Sequence, residues 1–161
     1  MANVDYFLKL DNIPGESKDD KHPDEIQLES WSIGATNQGT GEAGGGSGAG
    51  RSDFQDMHCT ARMSKASPKL FLACATGQAI DKGVLVCRKA GKDPQEYLKI
   101  TLEKVFVSSY QTGGTGADIV PMDQFSLNFA KIEKSYAPQK DDGSLDSPIV
   151  HNYDLKKNKG G

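Results

Sequence analysis

One short segment, Ser67-Pro68-Lys69-Leu70-Phe71-Leu72-Ala73-Cys74-Ala75-Thr76-Gly77, has helical patterning in a sequence that otherwise reads as strands. It limits the folds open to the chain. Ser67 is placed to N-cap the helix, Pro68 suits the first helical position where its missing N–H costs nothing, and Gly77 can take the left-handed residue that ends it. Leu70, Phe71 and Cys74 fall at helical spacing and give one apolar stripe, which must lie on something. A helix over about residues 68–76, alone among strands, packs on the side of a β-structure rather than in a βαβ layer.

The strand pattern says what that β-structure is. Val4, Tyr6, Leu8 and Leu10 alternate with Asp5, Phe7 and Lys9. Pro14-Gly15 turns the chain, and Gly15 to Glu25, dense in Asp, Glu and Lys, reads as an exposed charged connection. Ile26 to Gln38 reads as one strand whose apolar positions shift from even (Ile26, Leu28) to odd (Trp31, Ile33). Tyr97 to Tyr110 repeats the shift, with Leu98, Ile100 and Leu102 followed by Val105 and Val107, and so does Phe125, Leu127, Phe129 and then Ile132. A strand that changes its buried face midway bends around a corner or passes between two sheets. These signs predict a mainly β fold, a small antiparallel β-barrel of two sheets with the helix on its side. Period-2 alternation around Trp31 sends Trp31 and Ile33 to the core and Ser30 and Ser32 to the opposite face.

A single domain spanning residues 1–161 is expected, with a flexible tail at 157–161. At this length folding buries about 68–70% of the unfolded surface, enough for a core without staples. The net charge of −3 argues against nucleic acid as a partner. No apolar run approaches the roughly 20 residues of a membrane span, so no membrane insertion is expected, and residues 1–6 carry no signal-peptide pattern. Cys59, Cys74 and Cys87, odd in number and set in apolar segments, read as buried thiols made in a reducing cytoplasm.

No residue group nominates an active site. Gly39-Thr40-Gly41-Glu42-Ala43-Gly44 matches G-x-G-x-x-G, and Gly45 to Ser52 approaches a phosphate loop with Arg51 where Lys is required. Such loops work by delivering a helix N-terminus to the anion, whereas this one runs into a strand pattern with two acids, Ser52-Asp53-Phe54-Gln55-Asp56. His22, His58 and His151 lack metal-ligand spacing, and His58 and Cys59, being adjacent on a strand, point to opposite faces. No catalytic residue, cofactor or metal is expected. Residues 39–50 hold seven glycines and cannot pack a core. The 39–51 segment therefore reads as a long hairpin arm that lies on a neighbouring subunit through Gly39, Gly41, Gly44, Gly45, Gly46, Gly48, Gly50 and Arg51, the glycines permitting close backbone approach. The other reading is a monomeric ligand-binding β-barrel module that uses this arm as a gripping loop.

Many ordered segments together carry a family resemblance. They include Phe7-Leu8-Lys9-Leu10, Gly15-Glu16-Ser17-Lys18-Asp19, Glu29-Ser30-Trp31-Ser32 and Gly48-Ala49-Gly50-Arg51. Phe54-Gln55-Asp56-Met57, Ser67-Pro68-Lys69-Leu70-Phe71, Arg88-Lys89-Ala90-Gly91, Glu96-Tyr97-Leu98-Lys99-Ile100 and Ser126-Leu127-Asn128-Phe129 continue it. From Val4 to about Lys156 the chain resembles the hemolysin-coregulated protein (Hcp) family of bacterial type VI secretion systems. The resemblance implies a homohexameric ring, rings stacked into a hollow tube, and expulsion by a contractile sheath behind a spike protein of the valine-glycine repeat family. It further implies effector proteins carried in the lumen, and export to the extracellular space without a cleavable signal. Extended relatives add a C-terminal toxin domain, so this chain reads as the plain structural form. If Ser30 and Ser32 line the lumen, cargo passes over them.

Overall fold

In the computed structural model, residues 4–37, 52–91 and 93–161 are described. Alternation makes β1 (Val4–Leu10), with Leu8 and Leu10 buried on its inner side. It is followed by β2 (Ile26–Leu28), β3 (Ser30–Ser32), β4 (Ala35–Asn37), β5 (Ser52–Phe54) and β6 (Met57–Arg62). The helix α1 (Ala66–Thr76) leads to β7 (Ile80–Lys89) and the 19-residue β8 (Gln95–Gly113). Then come β9 (Met122–Asn128), β10 (Lys131–Tyr136), β11 (Ile149–Asp154) and β12 (Lys159–Gly160). The larger sheet runs β12-β11-β10-β8-β7-β1-β2, and the smaller one β3-β6-β9-β8, all antiparallel. β4 and β5 pair separately. The expected mainly β fold of two antiparallel sheets with one helix is what forms, the ladders handing over at corners around the core. The expected barrel is not closed, since among the described residues β2 pairs only with β1 and β3 only with β6.

The corners lie where the apolar phase shifts. β8 pairs with β7 and β10 up to Val105 and with β9 from Phe106 onward. Between the two halves Lys104 takes φ +53°. One residue in the left-handed region resets the alternation, so Ile100 and Leu102 and then Val105 and Val107 all face the core. The expected single strand from Ile26 to Gln38 is three short strands instead. Its break falls at Glu29, because β2 pairs with β1 while β3 pairs with β6, and the Glu29 N–H donates to the Thr60 carbonyl at 2.8 Å across the corner. Likewise, β9 ends before Phe129, and the Ala130 N–H donates to the Glu103 carbonyl at 3.0 Å before β10 begins.

The helix corrects two expectations. Gly77 ends it in the left-handed conformation (φ 66°), with its cap N–H groups on the Ala73 and Cys74 carbonyls, as the sequence predicts. At the other end the N-cap is Lys65, not Ser67. Ser67 lies inside the first turn, buried, accepting from the Ser64 N–H at 3.0 Å and donating its own hydroxyl to the Asp123 carboxylate. A buried carboxylate within reach draws the hydroxyl inward and away from the cap. The buried stripe is Ala66, Leu70 and Ala73, with Cys74 half-buried, while Phe71 stands 59% exposed.

The charged connection is not a solvated loop. Residues 14–25 fold back as a clasp over the outward side chains of β1 and β7, with Gly15 N–H on Asp24 O (2.8 Å) and Asp24 N–H on Ser17 O (2.9 Å). Phe7 and Val86 are buried beneath it although they point away from the core. The tail is also tied down: Lys159–Gly160 pair with Tyr153–Asp154, and Gly161 and Asn152 exchange backbone hydrogen bonds at 2.9 and 3.0 Å. Unpaired ladder groups on the edge of β11 are the physical reason, since a few more residues can satisfy them.

Candidate functional site

The outer face of the smaller sheet carries a polar surface. Register places Ser32, His58, Ser126 and Ser109 in one row across β3, β6, β9 and β8, and Ser30, Thr60, Gln124 and Gln111 in the next. The hydroxyls bond along the rows: Ser30 with Thr60 at 2.6 Å, and Ser126 with Ser108 and Ser109 at 2.7 and 2.5 Å. The extra residue is Ser108, since the register slips between Val107 and Ser109, and this bulge brings both serines onto Ser126. Asp56 closes one end, accepting from the Ser108 hydroxyl at 2.6 Å and the Asn128 amide at 2.9 Å. Arg62, paired with Glu29 at 3.2 Å, closes the other. Between these ends the two rows hold no carboxylate, ammonium or guanidinium, and a dent of about 340 Å³ lies among His58, Thr60, Ser109, Gln111 and Gln124. An ordinary solvated sheet face would mix Lys and Glu among its polar residues.

Ser30 and Ser32 are exposed on this face, while Trp31 and Ile33 are half-buried and packed against the core. Trp31 meets the Tyr6 ring edge-on at 6.3 Å. Burial pushes the Cys87 thiol up to about 11, with a hydrogen bond from Trp31 partly offsetting the rise. Burial alone carries Cys59, on the inner side of β6, to about 12. The arm residues Gly39, Gly41, Gly44, Gly45, Gly46, Gly48, Gly50 and Arg51 lie outside the described residues. The strands flanking the arm are described. Phe54 on β5 stacks on Tyr153 at 5.2 Å and meets Phe129 edge-on at 6.2 Å, and the Ser52 hydroxyl donates to the Tyr153 hydroxyl at 3.2 Å.

Two polar clusters went unseen in the sequence. Under the clasp, Arg88 donates to both Asp19 oxygens at 3.0 and 2.6 Å and to Asp5 at 3.1 Å, and its guanidinium sits 4.8 Å from the centre of the Phe7 ring. The Arg88 hydrogen bond holds the Asp19 carboxyl down at about 2, and Asp19 and Asp5 together keep the guanidinium charged. His22 stacks on Phe7 at 4.5 Å, with one ring nitrogen 2.8 Å from Glu25 and the other 2.5 Å from Glu96. The second cluster joins α1 to β9 and β8: Asp123, 2% exposed, accepts from Ser67 and from the Tyr110 hydroxyl at 2.8 Å. Each cluster spans about 55 to 85 residues of sequence, so no local spacing could have announced it. Both fasten elements together.

Among the described residues no group of three His, Cys, Asp or Glu side chains is arranged to hold a metal ion, and no helix is long and apolar enough to cross a membrane. A β-scaffold fastened by internal ion pairs, with a hydrogen-bonding sheet face and apolar patches on its surface, is equipped as a structural protein that meets other proteins. Comparison with known proteins gives that class its particulars. Residues 7–136 match the family described as "Type VI secretion system effector, Hcp". The chain is 41% identical over 157 residues to Protein hcp1 of Pseudomonas aeruginosa, covering 96% of this chain and 97% of that one. Its structure superposes on that of a type six secretion system protein with a TM-score of 0.92 at 30% identity, over 98% and 99% of the two chains. Hcp1 from Salmonella typhimurium gives 0.83 at 34% identity, over 99% and 100%. This chain belongs to the Hcp family of type VI secretion proteins, whose members are secreted structural tube proteins.

Proposed function

We propose that this chain assembles into homohexameric rings that stack into a hollow tube, with the outer face of the smaller sheet lining the lumen. The observation that carries the reading is the uncharged, hydrogen-bonded surface across β3, β6, β9 and β8. A channel wall must stay wetted yet must not trap passing polypeptide by strong charge pairing. Hydroxyls and amides that already bond to one another, as Ser30 with Thr60 and Ser108 with Ser126, offer such a wall. Effector proteins ride against it, a spike protein of the valine-glycine repeat family caps the tube, and a contractile sheath drives it out of the cell. The 39–51 arm lies on a neighbouring subunit. No catalysis takes part in this role.

Ser32→Gln tests the lumen assignment. The side chain is exposed, so the change should stay within about ±0.5 kcal/mol of wild-type stability and leave assembly intact. Carriage of effectors inside the tube should fall, because the longer side chain covers the contact row beside His58. A variant that assembles and carries every effector as wild type does would place this face elsewhere.

A further inference from the structure

Two apolar patches of the described surface stay about half exposed in the single chain. Leu72 (56% exposed) and Phe71 (59%) stand on the outward side of α1, and Tyr136 (48%) and Ile149 (59%) sit side by side as a register pair at the end of β10 and β11. They lie at opposite ends of β8. Phe71 meets Tyr110 edge-on at 6.2 Å, whereas Tyr136 is the register partner of Leu98. Leu98 and Tyr110 lie in the two halves of β8, which belong to different sheets, with twelve residues or about 40 Å of strand between them along the chain.

Their charged surroundings are opposite in sign. The only charged side chain of α1 is Lys69, which is exposed; Lys65 at the helix start is already paired with Asp24 at 3.6 Å, so Lys69 alone supplies the free positive charge of the helix. The turn joining β10 to β11 carries Asp141, Asp142 and Asp146 against a single lysine, Lys140. The Ser144 hydroxyl and N–H bond to the Asp142 carboxylate at 2.6 and 2.9 Å and hold its pKa below the usual range, so it stays negative. Two unlike patches, apolar at the centre and opposite in charge at the rim, fit a head-to-tail contact between copies.

We infer that α1 of one protomer seats on the β10–β11 end of the next, Phe71 and Leu72 against Tyr136 and Ile149, with Lys69 facing the acidic turn. The inference rests on the ring reading above and names the surfaces that close the ring. Because the contact is heterologous, each subunit uses its helix on one neighbour and its β10–β11 end on the other.

The test is native mass spectrometry of wild type, Leu72→Asp and Ile149→Lys at equal micromolar concentration. Each single variant should lose at least about tenfold of the assembled species, as removal of a central interface anchor does. Mixed in equal amounts, the two should regain assemblies of wild-type size, since a new Asp then faces a new Lys at alternate contacts. Lys69→Glu, fully on the surface, serves as a further variant and should weaken assembly in the same direction. Circular dichroism and melting temperature check that each variant is folded. Wild-type rings with either single variant still fully assembled would overturn this pairing alone, and so would a mixture that stays monomeric. A monomeric wild type would overturn the ring reading itself.

Discussion

Replacing Arg88 by Met tests how the clasp over residues 14–25 is held. The Arg88 side chain is 7% exposed, and the carboxylates it serves, Asp5 and Asp19, are 21% and 25% exposed. Asp19 falls from 3.8 to about 2, and at about 1.4 kcal/mol per unit that corresponds to about 2 kcal/mol, reduced somewhat because a quarter of the side chain meets water. Loss of the guanidinium from the Phe7 face adds about 1 kcal/mol, and the abandoned Asp5 adds a further fraction. Arg88→Met should therefore lower stability at pH 7 by about 2–4 kcal/mol, below the full cost of breaking a wholly buried pair. Adding Asp19→Asn should recover about 1 kcal/mol, because it removes a carboxylate left without its cation. The pH dependence has a definite sign. A depressed carboxyl pKa stabilises the folded state above 3.8 and loses that effect as pH falls toward 2, so the gap between wild type and Arg88→Met should narrow over that window. Denaturant titrations followed by circular dichroism, at one fixed protein concentration because assembly also stabilises, measure both effects. A pH 7 difference below about 1 kcal/mol, or one unchanged at pH 2.5, would show that Arg88 does not hold the clasp through Asp19.

Other changes probe other joints. Trp31→Ala should cost about 2–3 kcal/mol, less than a fully buried aromatic, since Trp31 is half-buried against Tyr6; a tryptophan emission maximum typical of full water exposure in the wild type would contradict this placement. Gly15→Ala should cost about 1–3 kcal/mol and speed amide exchange in the clasp, because an added Cβ would meet the Glu25 carbonyl oxygen at 2.5 Å, a backbone atom that cannot swing aside. Deleting Gly44 to Gly48 should leave the chain folded, with an unchanged circular dichroism spectrum, but weaken assembly; unchanged assembly and secretion would show that the arm is a tolerated insertion.

The corners were legible in the sequence because each leaves a local trace. A phase shift between Leu102 and Val105, or between Leu28 and Trp31, is written in the hydrophobic pattern, and in the structure each marks a strand changing sheets. Gly77 announced the helix end for a similar reason, as one residue type suits that conformation. The clasp was illegible. Asp19 and Lys18 look alike as loop charges, and what distinguishes Asp19 is Arg88, 69 residues away. Ser67 misled for the opposite reason: its local signal as a cap was good, and a distant Asp123 outweighed it. The polar sheet face stands between these cases. Alternation predicted that Ser30 and Ser32 share a side, but only strand order shows that His58, Gln124, Ser109 and Gln111 complete it.

Cryo-electron microscopy of the purified chain would show whether it forms a ring whose lumen is walled by the smaller sheet. The expected result is six-fold rings with an open centre, in which β3, β6, β9 and the second half of β8 lie nearest the axis with Ser32 and His58 turned toward it. Rings with the larger sheet at the axis would contradict the lumen assignment, and particles that scatter light only as 17.3 kDa monomers would contradict the ring.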